Sequence, residues 1–198
     1  MPKIFPTTSL NAALRMHEPS DSPDYRFYHK ASYPADCPAY YKQLVDNAVS
    51  YIEIWDPYFN VAPGNNDQDI FADINDNITI KILTMKGLSS ANPYLPVVEN
   101  AMKTAIPPTK NARFGLRVIN RGDEANQGGR FFHDRFLIID EQAVFLVGAS
   151  VGFHIRSEIS TGIFKVTNTD TAQFIRSLFS YYWNASSQHE IPIKFLHT

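Results

Sequence analysis

Cysteine is nearly absent from this chain of 198 residues, where Cys37 stands alone. An internal disulfide is therefore impossible, and a cysteine-based zinc site is excluded. Long hydrophobic runs are missing too. No stretch approaches the roughly 20 apolar residues of a membrane span, and Met1-Pro2-Lys3-Ile4-Phe5-Pro6 lacks the apolar run of a signal peptide. The expected location is cytoplasmic, where the sequons at Asn77 and Asn184 carry no meaning. Charge of one sign is also lacking: the formal net charge is −2. Any phosphate recognition must then come from a local basic patch rather than a global field. Asp67, Asp69 and Asp73 lack the glycine and terminal glutamate of an EF-hand loop, which excludes that calcium site. No internal repeat is visible.

What is present describes an ordinary globule, with 44% hydrophobic and 19% charged residues. The length suits one domain with a sizeable core. Residues 1–37 read as a proline-rich arm packed on the body, because six of the 13 prolines fall within the first 38 residues and forbid long helices there. Tyr25-Arg26-Phe27-Tyr28 reads as a short strand within it. His29 and Lys30 read as surface. Residues 38–198 form the expected main domain.

Its elements follow from periodicity. Tyr41, Leu44, Val45 and Ala48 recur at helical spacing after Pro38. Tyr51–Asp56 is a strand stopped by Pro57, and Asp67–Ile74 reads as a helix with acidic residues in its first turn. Ile78–Thr84 alternates as a strand, Tyr94–Ile106 is a helix stopped by Pro107-Pro108, and Arg113–Ile119 is a strand burying Phe114, Leu116 and Val118. Arg113 and Arg117 leave its other side and read as solvated surface, with a phosphate-attracting patch as the alternative. A polar loop over 120–129 leads to strands at 130–140, 143–147 and 157–166. A closing helix over 170–183 carries Phe174, Leu178 and Tyr181 on one stripe, with Asp170 as cap or first-turn acid. Alternation first and antiparallel strands later predict an α/β domain: a mixed β-sheet flanked by helices on both faces.

The chemistry concentrates in Arg130–Asp140 and Val144–Ser150. In an extended chain His133 and Arg135 leave one face together, and the next strand ends in Gly148-Ala149-Ser150. An imidazole, a guanidinium and a hydroxyl thus meet, which suits binding a phosphate and attacking it. A lone histidine on an apolar strand is more often a hydrogen-bonded structural residue, but here it belongs to a compound pattern.

That pattern, His133-x-Arg135, four residues, Asp140, then Gly148-x-Ser150, resembles the His-x-Lys-x4-Asp signature of the phospholipase D superfamily. Arg135 replaces the family lysine, and Ala149 splits the Gly-Ser pair. Asp56-Pro57-Tyr58-Phe59 resembles the exit loop of the first strand in that family, which lines the cleft. The resemblance spans roughly residues 38–184 and implies a phospholipase-D-like single module. It also implies a metal-independent phosphodiesterase, nuclease-like, needing no cofactor. Two copies would pair as a homodimer, because the family uses two histidines and this chain has one signature. By the same resemblance His133 attacks through a phosphohistidine, Arg135 and Ser150 hold the phosphoryl oxygens, and Glu158 orients the imidazole. Tyr58, Arg130 and Asp140 are the expected substrate contacts.

Arg135 leaves a second outcome open, since a guanidinium binds phosphate in a planar fork but does not stand where an ammonium would. The alternative is a catalytically inactive module that binds phosphate groups of acidic lipid headgroups, nucleic acid or a protein partner. Superfamily members with His-x-Arg resemble such modules.

Overall fold

The computed structural model describes residues 24–28, 36–59, 70–85, 94–119, 133–150, 161–184 and 190–198. In chain order the elements are β1 (Tyr25–Tyr28), α1 (Asp36–Asp46), β2 (Tyr51–Trp55), β3 (Thr79–Thr84), α2 (Tyr94–Ala105), β4 (Arg113–Val118), β5 (Phe136–Ile139), β6 (Ala143–Val147), β7 (Thr161–Lys165), α3 (Thr169–Asn184) and β8 (Glu190–Phe195). The strands form one 8-stranded sheet in the order β1-β7-β6-β5-β2-β3-β4-β8. The β2–β3 and β3–β4 pairs are parallel. Every other pairing is antiparallel.

Strand alternation sorts the side chains onto two buried faces. On one face Ile52, Ile54, Ile80, Ile82, Phe114, Leu116, Leu137 and Phe145 pack under Tyr41 and Val45 of α1 and Val98 and Met102 of α2. On the other, Trp55, Leu83, Ile138 and Val144 meet Ala172, Ile175, Phe179 and Trp183 of α3. The mixed sheet with helices on both faces is therefore the architecture of the chain. Among the described residues no helix is long and apolar enough to cross a membrane.

Two local expectations are corrected, and a third is decided between its alternatives. The stripe Phe174–Leu178–Tyr181 does not face the core: Phe174 and Tyr181 are 64% and 68% exposed. The helix carries a second apolar stripe, Ala172–Ile175–Phe179–Trp183, and its larger rings win the interface. Phe179 stacks on Trp183 at 6.0 Å and meets Trp55 at 6.4 Å. Asp170, expected as cap or first-turn acid, is the first-turn acid, and the cap lies before it. Asn168 Oδ1 accepts the Thr171 N–H at 2.9 Å, the N-cap bond that satisfies an orphan donor of the first turn. Finally, the described part of the expected helix over 67–74 is a short turn at Ile70–Phe71 followed by irregular chain. Ile70, Phe71 and Ile74 are buried there without helical continuation.

The strand β8 goes beyond the sequence reading, because Pro192 interrupts its pattern and a proline is tolerated only at sheet edges or bulges. Both conditions hold: β8 is the last strand of the sheet, and its register against β4 shifts between Phe114 and Leu116. Gly115 lies at that shift. A Cβ there would stand 2.9 Å from Ile193 Cγ1 and 3.1 Å from the Trp183 ring, so the close approach needs glycine. Arg117 lies over the Trp183 ring at 5.0 Å and pairs with Glu190 at 2.8 Å, a structural role.

Candidate functional site

Chain direction places the site at the carboxyl end of β2, the end of an open parallel sheet where ligand crevices form. The strand stops at Trp55, and the next residue turns the chain with its own side chain. Asp56 Oδ1 accepts the Tyr58 N–H at 2.9 Å, an Asx turn closed over Pro57. The Asp56 N–H donates to the Leu83 carbonyl at 3.0 Å. Phe59, fully buried, offers its carbonyl to the Tyr94 hydroxyl at 2.6 Å. Burial pushes the Tyr94 phenol well above its ordinary value, with the nearby Asp56 carboxylate adding to the effect and a bond to Thr84 opposing it. The Tyr94 hydroxyl thus ties α2 to this loop.

Arg135 enters from the residue before β5, its carbonyl accepting the Val147 N–H at 2.8 Å. Its Nε donates to Ser150 Oγ at 2.6 Å and lies 3.8 Å from Asp56 Oδ1. Its Cζ stands 5.4 Å from the centre of the Tyr58 ring. Ser150 and Asp56 are buried, at 0% and 2% exposure. The guanidinium is therefore fixed on its Nε side by an anion and a hydroxyl and flanked by an aromatic face. Among the described residues the further hydrogen bond of its terminal nitrogens is a long one, Nη1 to the His133 carbonyl at 3.5 Å. His133 is solvent-exposed.

The structure thus brings Arg135, Ser150 and Tyr58 together and leaves His133 exposed two residues away. It does not bring Asp140 to them. Asp140 sits at the other end of β5, about 16 Å along the strand at 3.3 Å per residue. Its Oδ1 accepts the N–H groups of Ser50 at 2.6 Å and Tyr51 at 3.0 Å. The Val49 N–H bonds the same carboxylate at 3.0 Å. Asp140 and Glu141 hold φ of 53° and 54°, and the Gln142 N–H closes on the Ile139 carbonyl at 3.0 Å, the geometry of a type I′ turn. Its expected substrate contact gives way to a turn role: it ties the β5–β6 hairpin to the start of β2. Arg130, Glu158 and the loop over 120–129 lie outside the described residues.

Asp56 was legible in the sequence as part of the cleft-lining exit loop, but not as a partner of Arg135. Its signal was a carboxylate at a strand end, immediately before proline and one residue from an aromatic already placed in the cleft. Among the described residues no three His, Cys, Asp or Glu side chains converge as a metal cluster.

No family model matches this sequence, and no curated protein sequence does. Solved structures do. The fold is similar to NucT from Helicobacter pylori, with a TM-score of 0.57 and 12% identity, covering 82% of this chain and 97% of that one. It is similar to phosphatidylserine synthase from Haemophilus influenzae Rd KW20, with a TM-score of 0.54 and 17% identity, covering 90% of this chain and 40% of that one. Nuc from Salmonella typhimurium, a phospholipase D family member, aligns with a TM-score of 0.48 and 14% identity over 74% of this chain and 86% of its own. The chain thus spans nearly all of NucT and less than half of the synthase. The fold is shared with NucT and the synthase, and function has to be argued from the site.

Proposed function

We propose that this chain is a metal-independent phosphodiesterase, acting as a homodimer on a phosphodiester of the nucleic-acid kind. The observation that carries the reading is the Arg135 guanidinium, fixed through Nε by Ser150 at 2.6 Å, two residues along the chain from the exposed His133. A planar fork held in place is suited to the non-bridging oxygens of a phosphodiester. A fold shared with a phosphatidylserine synthase supports phosphodiester chemistry.

In the first step a neutral His133 nitrogen forms a bond to phosphorus, and the bond from phosphorus to the leaving oxygen breaks. The leaving oxygen takes a proton from the imidazolium of His133 of the partner subunit. In the second step a water oxygen attacks phosphorus, the nitrogen–phosphorus bond breaks, and the water proton passes to that second imidazole. A two-fold axis supplies both groups from one signature per chain. Glu158 is assigned to orient the attacking ring, and Tyr58 and Arg130 to contact the substrate.

A second reading, an inactive module that binds phosphate groups of acidic lipid, nucleic acid or a partner, is favoured by one observation. Ser150 Oγ already accepts from Arg135, and Asp56 offsets the guanidinium charge, so fewer groups remain for transition-state charge. Intact-mass analysis of protein quenched during turnover separates the two. The enzyme gives a phosphoryl adduct at His133 that His133→Ala lacks. Absence of an adduct, with binding that Arg135→Ala abolishes, selects the module.

A further inference from the structure

A solvent-open cavity of about 500 Å³ lies at the opposite end of the sheet, lined by residues that include Ser50, Asn77, Thr79, Asn111, Arg113 and Phe195. It sits over the amino ends of the three parallel strands, where Tyr51 aligns with Thr79 and Thr79 with Arg113 in one row across the sheet. This row shares a face with Gly115, against which Trp183 of α3 packs. Five residues of β2 separate it from Asp56, about 17 Å at 3.3–3.4 Å per residue. It is a separate place from the Arg135 cluster.

The cation in this cavity is held in an unusual way. Arg113 lies over the Phe195 ring, Cζ 4.9 Å from its centre, so a ring face positions the guanidinium and, among the described residues, leaves its donor edge unused. Among the described residues no carboxylate pairs with it, whereas Lys42, Lys81, Lys103, Lys110, Arg117, Lys165 and Lys194 each have one within 4.0 Å. Around Arg113 stand two hydroxyls, Ser50 and Thr79, and two amides, Asn77 and Asn111. The rim is also rigid. The Ser50 carbonyl accepts the Thr79 N–H at 2.9 Å, the Ile78 carbonyl accepts the Arg113 N–H at 2.8 Å, and Asp140 holds the Ser50 N–H. A preorganised polar wall with one available fork spares a ligand much of the ordering cost, and the volume falls in the range of small-molecule sites, ~300–1,000 Å³.

We propose that this cavity is a second ligand site, independent of the Arg135 cluster, for a small polar molecule with an oxyanion head. Arg113 takes the phosphate or carboxylate, and the hydroxyls and amides hold the polar body. Asp140 does not compete for the fork, since its carboxylate is occupied by three backbone N–H groups.

The test is isothermal titration of the full chain with ribose 5-phosphate, with gluconate and with uncharged ribose. Wild type and Arg135→Ala bind at least one of the two oxyanions with equal affinity. Arg113→Gln weakens that binding at least about tenfold, the scale of one charge-assisted fork. Ribose 5-phosphate or gluconate winning assigns the head group. Asn111 is exposed, so Asn111→Asp keeps the fold and weakens binding about fivefold by setting a like charge at the rim; it carries the test if Arg113→Gln fails to fold. Binding lost in Arg135→Ala but kept in Arg113→Gln, equal affinity for ribose, or no binding of either oxyanion would overturn the proposal. None of these results bears on turnover at His133, so this site and the phosphodiesterase reading fail separately.

Discussion

Arg135 Nε donates to Ser150 Oγ across 2.6 Å, joining the chain entering β5 to the turn leaving β6. That bond converts two strand-end residues, fifteen apart in sequence, into one rigid element of the site. Ser150→Ala removes the acceptor while keeping the small buried volume. Stability is expected to fall by about 1–2 kcal/mol, and phosphate affinity at Arg135 by several-fold, because the guanidinium loses its fixed plane. Urea unfolding and phosphodiester binding measured on the same sample check both.

Asp56→Asn retains an acceptor for the Tyr58 N–H and removes the negative charge 3.8 Å from Arg135. The expected result is tighter anion binding together with a stability loss of about 1–3 kcal/mol. Unchanged affinity in a titration against wild type would place this carboxylate outside the electrostatics of the site.

The Asp140 carboxyl sits below its ordinary value of 3.8: burial pushes it up, but the backbone N–H groups of Tyr51, Val49 and Ser50 outweigh burial and hold it down. A lowered folded value means that its contribution is present above pH 3.8 and is lost as the pH falls from there through the folded value. Asp140→Asn is expected to be less stable than wild type by about 1–3 kcal/mol at neutral pH. Denaturant melts across the acid range should show that difference shrinking below pH 3.8. A constant difference would contradict the assignment.

Glu53 has the opposite sign. Burial raises its carboxyl above 4.5 in spite of the hydrogen bond and charge of Lys81, which lies 2.8 Å away. The folded state then binds the proton more readily than the unfolded chain, so this group makes the protein less stable as the pH rises from 4.5 through the folded value. The slope of unfolding free energy against pH in that window should become more positive in Glu53→Gln.

The two faces of α3 predict a contrast. Phe179→Ala opens a cavity beside Trp55 and Trp183 and should cost about 3–5 kcal/mol. Phe174→Ala, on the 64% exposed side, should stay within about 1 kcal/mol. Thermal melts of the pair decide which stripe is buried.

Alternation at Ile78–Thr84 and the apolar runs of β5 and β6 were legible in the sequence, because strands buried on both faces leave nearly continuous apolar runs. Most of the order of helices and strands followed, and with it the mixed sheet; the expected helix over 67–74 and the last strand β8 are the exceptions. Within the candidate site, the offset of His133 and Arg135 and the later Ser150 were legible as a pattern. What was hidden came from competition between equal signals. Two apolar stripes run along α3, and only the shape of the sheet around Trp55 selects the one with Phe179. Pro192 masks β8 until the bulge at Gly115 is known. Asp140 belongs to the signature by spacing, but its backbone lies at positive φ and its carboxylate points to the start of β2. Asp56 reads as a turn residue, which it is, and only packing shows that its carboxylate also faces Arg135.

The central claim is that Arg135 holds a phosphodiester for attack by His133. Its most direct measurement is hydrolysis of bis(p-nitrophenyl) phosphate in excess EDTA, comparing wild type with His133→Ala at about pH 5 to 8. The account predicts turnover by wild type that falls about 10³-fold or more in the variant. Equal rates in the two proteins, or none in either, would contradict it.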